Sequence, residues 1–382
     1  VLSAGDCPLV LAPGSARGWF EGRAVVAWRP TELLGGLTFA QAAERLDRAY
    51  LSRVACLSAA LLPYDGPAVA ARYAGGLVLT QGGWRTWGTL DASEVPAPVF
   101  GEPVMLPHDA PLVRDAIGDM DAASFQAGVD VIIDSICEGD VYVVNLTRRL
   151  CGRPTLDAVD AFRALLARTN PDMAAFWRTP DVTIASASPE RFLRVAGRKA
   201  HVSPIKGTRP RGRGDDDAAL AAELFLSEKE RAEHVMIVDL ERNDLGRVCE
   251  PGTIAVDPIF EVVATPYCHQ MVSTVTGTLL EDTTLSELLE SVFPCGSVTG
   301  APKIAAMKAI AAQEASPRAA YTGSLTIAVP GQVDSSILIR TAEYTDGLVR
   351  WGTGGGITVD SDPHEEWLET VLKASPFLAS PQ

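Results

Sequence analysis

Lysine is scarce in this 382-residue sequence. It occurs six times (Lys199, Lys206, Lys229, Lys303, Lys308, Lys373) against 27 arginines, so a lysine inside a polar motif stands out. Seven cysteines are scattered without a CxxC pair, which excludes a disulfide framework or a zinc site and fits reduced thiols. Five histidines are present, and none lies at ligand spacing from His234. No apolar run approaches the roughly 18 residues of a membrane span. The opening stretch, VLSAGDCPLVLAPGSARGW, carries Asp6 and no basic leader, so we expect no secretory signal and a soluble, cytoplasmic protein. The formal charge of −15 opposes nucleic-acid and anionic-membrane surfaces, and the RPRGRG run is offset by Asp215, Asp216 and Asp217. There is no GxGxxG for a dinucleotide, no GK[ST] for a phosphate loop, and no GxCxG of a glutamine amidotransferase.

What remains is a globular chain, 47% hydrophobic, without internal repeats. Residues 1–115 form an N-terminal region packed on a larger unit, 116–382, with the proline-rich stretch 91–115 as the connection. Helical periodicity appears in 38–57, 121–139, 155–168, a long stretch from Asp217 to Leu245, 284–293, 301–315 and 365–374. Strand-like runs come in hairpin blocks between them, and that order predicts an α+β fold with antiparallel sheets.

Four features carry chemistry. Lys206, in SPIKGTRPRG, is a lysine where this chain otherwise uses arginine; only lysine can supply a free amine as nucleophile or base. Glu230 and Glu233, and far downstream Glu366 and Glu369, form two Glu-x-x-Glu pairs, each on one helical face. Facing each other they would repel unless a hard cation such as Mg2+ lay between them, although either pair alone also suits a solvated surface. Gly352, Gly354, Gly355 and Gly356 read as a turn between a strand and the last helix, able to present N–H groups to an anion. Arg340 sits in a strand-like apolar run, where it needs an anionic partner. Tyr321 and His269 by themselves are as well explained as core or edge residues.

In order, the chain reads ASPERFL, SPIKGTRPRG, KERAEHVMIVDLERNDLGRV, CHQMVSTVTG, FPCGSVTGAPKIAAMKAI, YTGSL, SSILIRTA, GTGGGI and EEWLETVLKA. This series resembles the chorismate-utilising enzymes, a family that includes anthranilate, aminodeoxychorismate, isochorismate and salicylate synthases. The resemblance covers about residues 120–375. It implies a large α+β fold of two packed antiparallel sheets with helices outside. It implies Mg2+ bound directly by Glu233 and Glu369, with Glu230 and Glu366 as outer partners. It further implies a substrate carboxylate held by Tyr321, Arg340 and the backbone of Gly354 and Gly356. Ser297 and Lys373 would line the site, His269 would lie near the ring, and Glu190 would be the acid/base. PIKGT is the pattern of aminodeoxychorismate synthases, where anthranilate synthases read PIAGT. Lys206 would then be a covalent nucleophile in amination of chorismate towards p-aminobenzoate and folate, flanked by Arg209 or Arg211, with ammonia supplied by a glutamine amidotransferase subunit. Anthranilate or 2-amino-2-deoxyisochorismate synthesis is the alternative. Water-adding members carry a lysine base, and aminating members a glutamine, at the position of Val143, which counts against isochorismate or salicylate synthesis.

Overall fold

The computed structural model describes residues 6–15, 17–89, 110–265 and 268–378. Its helical elements are α1 (Trp19–Gly22), α2 (Phe39–Tyr50), α3 (Ala122–Cys137), α4 (Ala158–Thr169), α5 (Asp215–Leu226), α6 (Glu228–Gly246), α7 (Leu285–Val292), α8 (Lys303–Gln313) and α9 (Pro363–Ala374). All recorded strand pairings are antiparallel, as hairpin blocks require. They build an eleven-stranded sheet, a nine-stranded sheet and a small three-stranded sheet.

The two large sheets pack face to face. Leu9, Leu11, Trp19, Ala27, Leu57, Leu61, Trp177, Ile184, Leu325 and Ile327 interdigitate between them, all nearly inaccessible to water. Burial of each such large side chain contributes on the order of 2 kcal/mol. Helices cover the outer faces: α2, α6 and α7 close one core, α4 and α9 another, and α3 and α8 a third. The fold is α+β with antiparallel sheets, as the sequence pattern implied, and its two packed sheets are those the family resemblance implied. Strands from the first ninety residues enter both sheets: Leu9–Ala12 pairs with Met173–Arg178, and Leu57–Leu62 with Ser324–Val329.

Several local readings are corrected. The helix expected over 38–57 is α2 and stops at Tyr50, where the Ser52 hydroxyl closes a turn onto Val54, and Leu57–Leu62 becomes a strand. The expected long helix from Asp217 is two helices. Ser227 is extended (ψ 109°), and its hydroxyl accepts the Glu230 N–H at 3.3 Å, capping α6. The proline-rich connection lies largely outside the described residues, but its end, Val113–Gly118, is a strand on Val143–Pro154. The glycine-rich "turn" is instead the second half of a ten-residue strand, Leu348–Ile357, in register with Val143–Pro154 from Val349 opposite Gly152 to Ile357 opposite Val144. Arg340 is not in a strand either. It occupies a bend with φ +48° between Gln332–Ile337 and Thr341–Thr345.

Candidate active site

The site is assembled where the three-stranded sheet closes over the end of the glycine strand. Lys206 lies on Ile205–Pro210, which pairs with Cys268–Val272 through a bulge at Gly207. Gly207 takes φ +73°, a conformation that suits glycine. The bulge re-aims the strand, and Lys206 Nζ reaches the backbone carbonyl of Ser297 at 3.4 Å. Ser297 comes from the single 3-10 turn Gly296–Val298, and its hydroxyl donates to Glu190 Oε1 at 2.8 Å. Glu190 is 6% exposed, and the Ile205 N–H also points at Oε1 (3.5 Å). Burial pushes the Glu190 carboxyl up to about 7, opposed by the Ser297 hydrogen bond and the charge of Lys206. Lys206, Glu190 and Ser297, expected in one site, are thus brought together: an amine on the Ser297 carbonyl, and a carboxyl poised between its two protonation states on the Ser297 hydroxyl.

The glycine strand forms the opposite wall. Its neighbour Thr341–Thr345 pairs only as far as Arg350, so one backbone edge beyond that point lacks a strand partner. None of Gly352, Gly354, Gly355 and Gly356 has a left-handed φ. Space explains them instead. A Cβ on Gly352 would lie 2.2 Å from the Tyr321 ring, one on Gly354 2.3 Å from the Leu146 carbonyl, and one on Gly356 3.2 Å from Lys206 Nζ. Glycine brings the backbone within reach of Tyr321 and Lys206; the anion nest expected there is replaced by extended strand. Val143 Cγ2 is 3.7 Å from the same Gly356 position, and Val143 packs with Ile237 and Ala301 as a dry wall.

Tyr321 is buried, and burial raises its hydroxyl to about 12. Arg340 has no hydrogen bond or ion pair for its guanidinium among the described residues, and burial lowers its pKa. A guanidinium so placed attracts a carboxylate. Lys373 donates to the Gly354 carbonyl at 3.0 Å and lies 2.5 Å from Glu369. His269 lies on the strand paired with that of Lys206; its Nε2 meets Asp217 Oδ1 at 2.8 Å on α5, and no hydrogen bond from it to Lys206, Glu190 or Ser297 is recorded among the described residues. Arg209 and Arg211 do not face Lys206 as expected; Arg209 pairs with Glu223 and Glu230, Arg211 with Asp217.

The two Glu-x-x-Glu pairs lie on α6 and α9 as read from the sequence. Asp362 caps α9, accepting from His364 and Glu365 N–H groups, with Pro363 opening the first turn. Among the described residues no three acidic, histidine or cysteine side chains form a ready ligand cluster. The pairs nevertheless feel each other. Burial raises the Glu233 carboxyl, with Glu230 and Glu366 adding to it; burial likewise raises Glu366, with Glu369 adding. Half-buried carboxylates that destabilise one another are a fit for a divalent cation, which would relieve both effects. Arg209 engages Glu230, and Ser361 donates to Glu366 at 2.7 Å. These second partners escaped sequence reasoning, as did Glu241, which bonds the turn carrying Ser297. The only sequence signal for Glu241 was an acid eight residues after Glu233 on one helical stripe.

With this geometry in hand, comparison with known proteins is direct. The chorismate binding enzyme family matches residues 89–379. The aminodeoxychorismate synthase of Streptomyces pristinaespiralis is 41% identical over 292 residues, 76% of this chain and 40% of that protein. Aminodeoxychorismate synthase component 1 of Klebsiella aerogenes is 41% identical over 242 residues, 63% of this chain and 54% of that one. The match thus spans about half or less of these relatives' length. The crystal structure of anthranilate synthase component I from Streptococcus pneumoniae superposes with TM-score 0.80 at 25% identity, covering 92% of this chain and 91% of that chain. The chain belongs to the chorismate binding enzymes.

Proposed function

We propose that this chain aminates chorismate at C4, making 4-amino-4-deoxychorismate towards p-aminobenzoate, with Lys206 as covalent nucleophile. The observation that carries the reading is the Lys206–Ser297–Glu190 constellation, with Lys206 Nζ against the glycine strand and Ser297 shared by both partners. The names of the relatives at 41% identity support it. Arg340 and Tyr321 hold the enolpyruvyl carboxylate, and the ring lies between Lys206 and Glu190. Glu233 and Glu369, backed by Glu230 and Glu366, would hold Mg2+, which supplies positive charge to the ring carboxylate when bound.

In the first step the neutral Lys206 amine forms a bond to C2, both ring double bonds shift along the diene towards C4, and the C4–O bond breaks. The hydroxyl leaves as water on a proton from Glu190, whose pKa near 7 leaves part of it protonated at neutral pH. The Lys206 nitrogen then sheds its extra proton. Ammonia forms the C4–N bond, both double bonds shift back, and the C2–N bond breaks as Glu190, re-protonated by the Lys206 nitrogen, returns that proton to the leaving amine, while the new C4 ammonium releases its extra proton to solvent. Val143 keeps an apolar wall beside Lys206 and offers no base to activate water. Ammonia comes from a glutamine amidotransferase partner or from added ammonium. Lys206 separates this reading from anthranilate synthesis, which the likeness to an anthranilate synthase fold would otherwise suggest.

The test is product analysis by mass spectrometry with chorismate, Mg2+ and ammonium. Wild type should yield the 4-amino product, and quenching without ammonia should leave a ring adduct on Lys206. Lys206→Arg keeps the charge but lacks a free amine and should lose the activity; Lys206→Ala should be slow and drift towards the 2-amino isomer or anthranilate. Anthranilate as the wild-type product, or full activity in Lys206→Ala, would reject the proposal.

A further inference from the structure

Ser297 faces two groups at once, its hydroxyl on Glu190 and its carbonyl on Lys206. It does so from one 3-10 turn, a geometry with little rigidity of its own. Glu241, on α6, reaches that turn from behind. Its Oε1 accepts the Gly296 N–H at 3.0 Å and the Cys295 S–H at 3.5 Å, and Cys295 Sγ lies 3.3 Å from Ser297 Oγ. From the other side the Thr299 hydroxyl donates to the Cys295 carbonyl at 2.8 Å, and Arg318 Nη1 donates to the Val298 carbonyl at 2.7 Å.

Glu241 is fully buried, and its Oε2 has no hydrogen-bond partner among the described residues. A carboxyl group in that state is costly, and the stripe it shares with Ile237, Val238 and Leu245 would accept an apolar residue without that cost. Lys303 and Asp244, themselves paired at 2.5 Å, are the charged groups that face it, together with the Cys295 thiol. We propose that Glu241 is a positioning residue that clamps the Cys295–Ser297 turn, so that one serine presents its hydroxyl to Glu190 and its carbonyl to Lys206. The proposal rests on the reading that Glu190 and Lys206 act on substrate.

The Ser297 hydrogen bond favours ionised Glu190, which also faces the charges of Lys206 and Lys373. Loosening the turn should therefore move the Glu190 ionisation to higher pH. The experiment is the pH dependence of kcat/KM for chorismate in wild type, Ser297→Ala, Glu241→Asp and Glu241→Gln, and in the Ser297→Ala/Glu241→Asp double variant. Aspartate keeps the charge but is one methylene too short to reach Gly296 and Cys295 together; glutamine keeps the acceptor oxygen and loses the charge. Glu241→Asp and Ser297→Ala should each shift the ionisation upward by about one pH unit. The double variant should shift no further than Ser297→Ala alone, and Glu241→Gln should overlay wild type. Hydrogen exchange at residues 295–299 reads the clamp without turnover: faster in Glu241→Asp, unchanged in Glu241→Gln. Unchanged exchange in Glu241→Asp, additive shifts in the double variant, or a shift in Glu241→Gln as large as in Glu241→Asp overturns the proposal. Absence of chorismate turnover in wild type would sink the proposed function instead, while the exchange experiment would still decide the clamp.

Discussion

Glu190 and Glu241 should make this protein lose stability as the pH rises through neutrality, and glutamine at either position should abolish that residue's share. Burial pushes both carboxyls up to about 7 in the folded chain, against an ordinary value of 4.5. Between those values the folded state holds a proton on each group that the unfolded state has released. Unfolding then releases protons, so the stabilisation is full below about 4.5 and disappears as pH rises through 7. Between pH 6 and 8 one such group changes the unfolding free energy by about 1.4 kcal/mol, and the two together by about 3 kcal/mol. His234 works in the other direction. Burial lowers it to about 4, so the unfolded state binds its proton more readily below about 6.5 and stability there rises with pH. Comparing variants cancels this term, together with the raised carboxyls of Glu233 and Glu366. The assay is urea unfolding at pH 6, 7 and 8 of wild type, Glu190→Gln, Glu241→Gln and the double variant. Each single change should flatten the pH 6 to 8 decline by about 1.4 kcal/mol. Parallel curves for wild type and both variants would show that neither carboxyl holds a proton that folding raised, and the reasoning from burial would fail.

Gly352→Ala would place a methyl 2.2 Å from the Tyr321 ring, so it should cost about 1–3 kcal/mol of stability and weaken chorismate binding, read by urea unfolding and by KM. Gly356→Ala crowds the end of the flexible Lys206 side chain at 3.2 Å and meets Val143 Cγ2 at an ordinary contact distance of 3.7 Å, and should leave unfolding nearly unchanged while lowering kcat at least about tenfold; equal effects of the two changes on stability would refute the distinction. Glutamine at Glu233 or Glu369 should raise the Mg2+ concentration needed for half activity more than glutamine at Glu230 or Glu366, since a direct ligand loses a coordination position and an outer one only orientation. Equal Mg2+ titrations at all four positions would show that the division into direct and outer partners is wrong.

What could be read from the sequence was local. Each Glu-x-x-Glu pair lies on one helix, so its spacing alone placed two carboxylates on one face, and the caps Ser227 and Asp362 set where those helices begin. The oddness of Lys206 in an arginine-using chain was equally local. Pairing partners across the chain were not legible from pattern; only the family resemblance grouped Lys206, Glu190 and Ser297. Ser297 meets Glu190 across 107 residues and Lys206 across 91, and hydrophobic periodicity carries no information about such register. The same gap explains the glycine strand. Four glycines within five residues look like a turn to any local reading, but pairing with Val143–Pro154 holds them extended. Arg340 failed for the converse reason: its apolar neighbours suggested strand, while its backbone bends at φ +48° between two strands. Arg209, His269 and Glu241 show that charge alone does not assign a role. Arg209 steadies Glu230, His269 is tied to Asp217, and Glu241 hydrogen-bonds the turn that presents Ser297. A residue that acts through another side chain has no spacing of its own to betray it, so the outer layer of a site emerges only once the chain is folded around it.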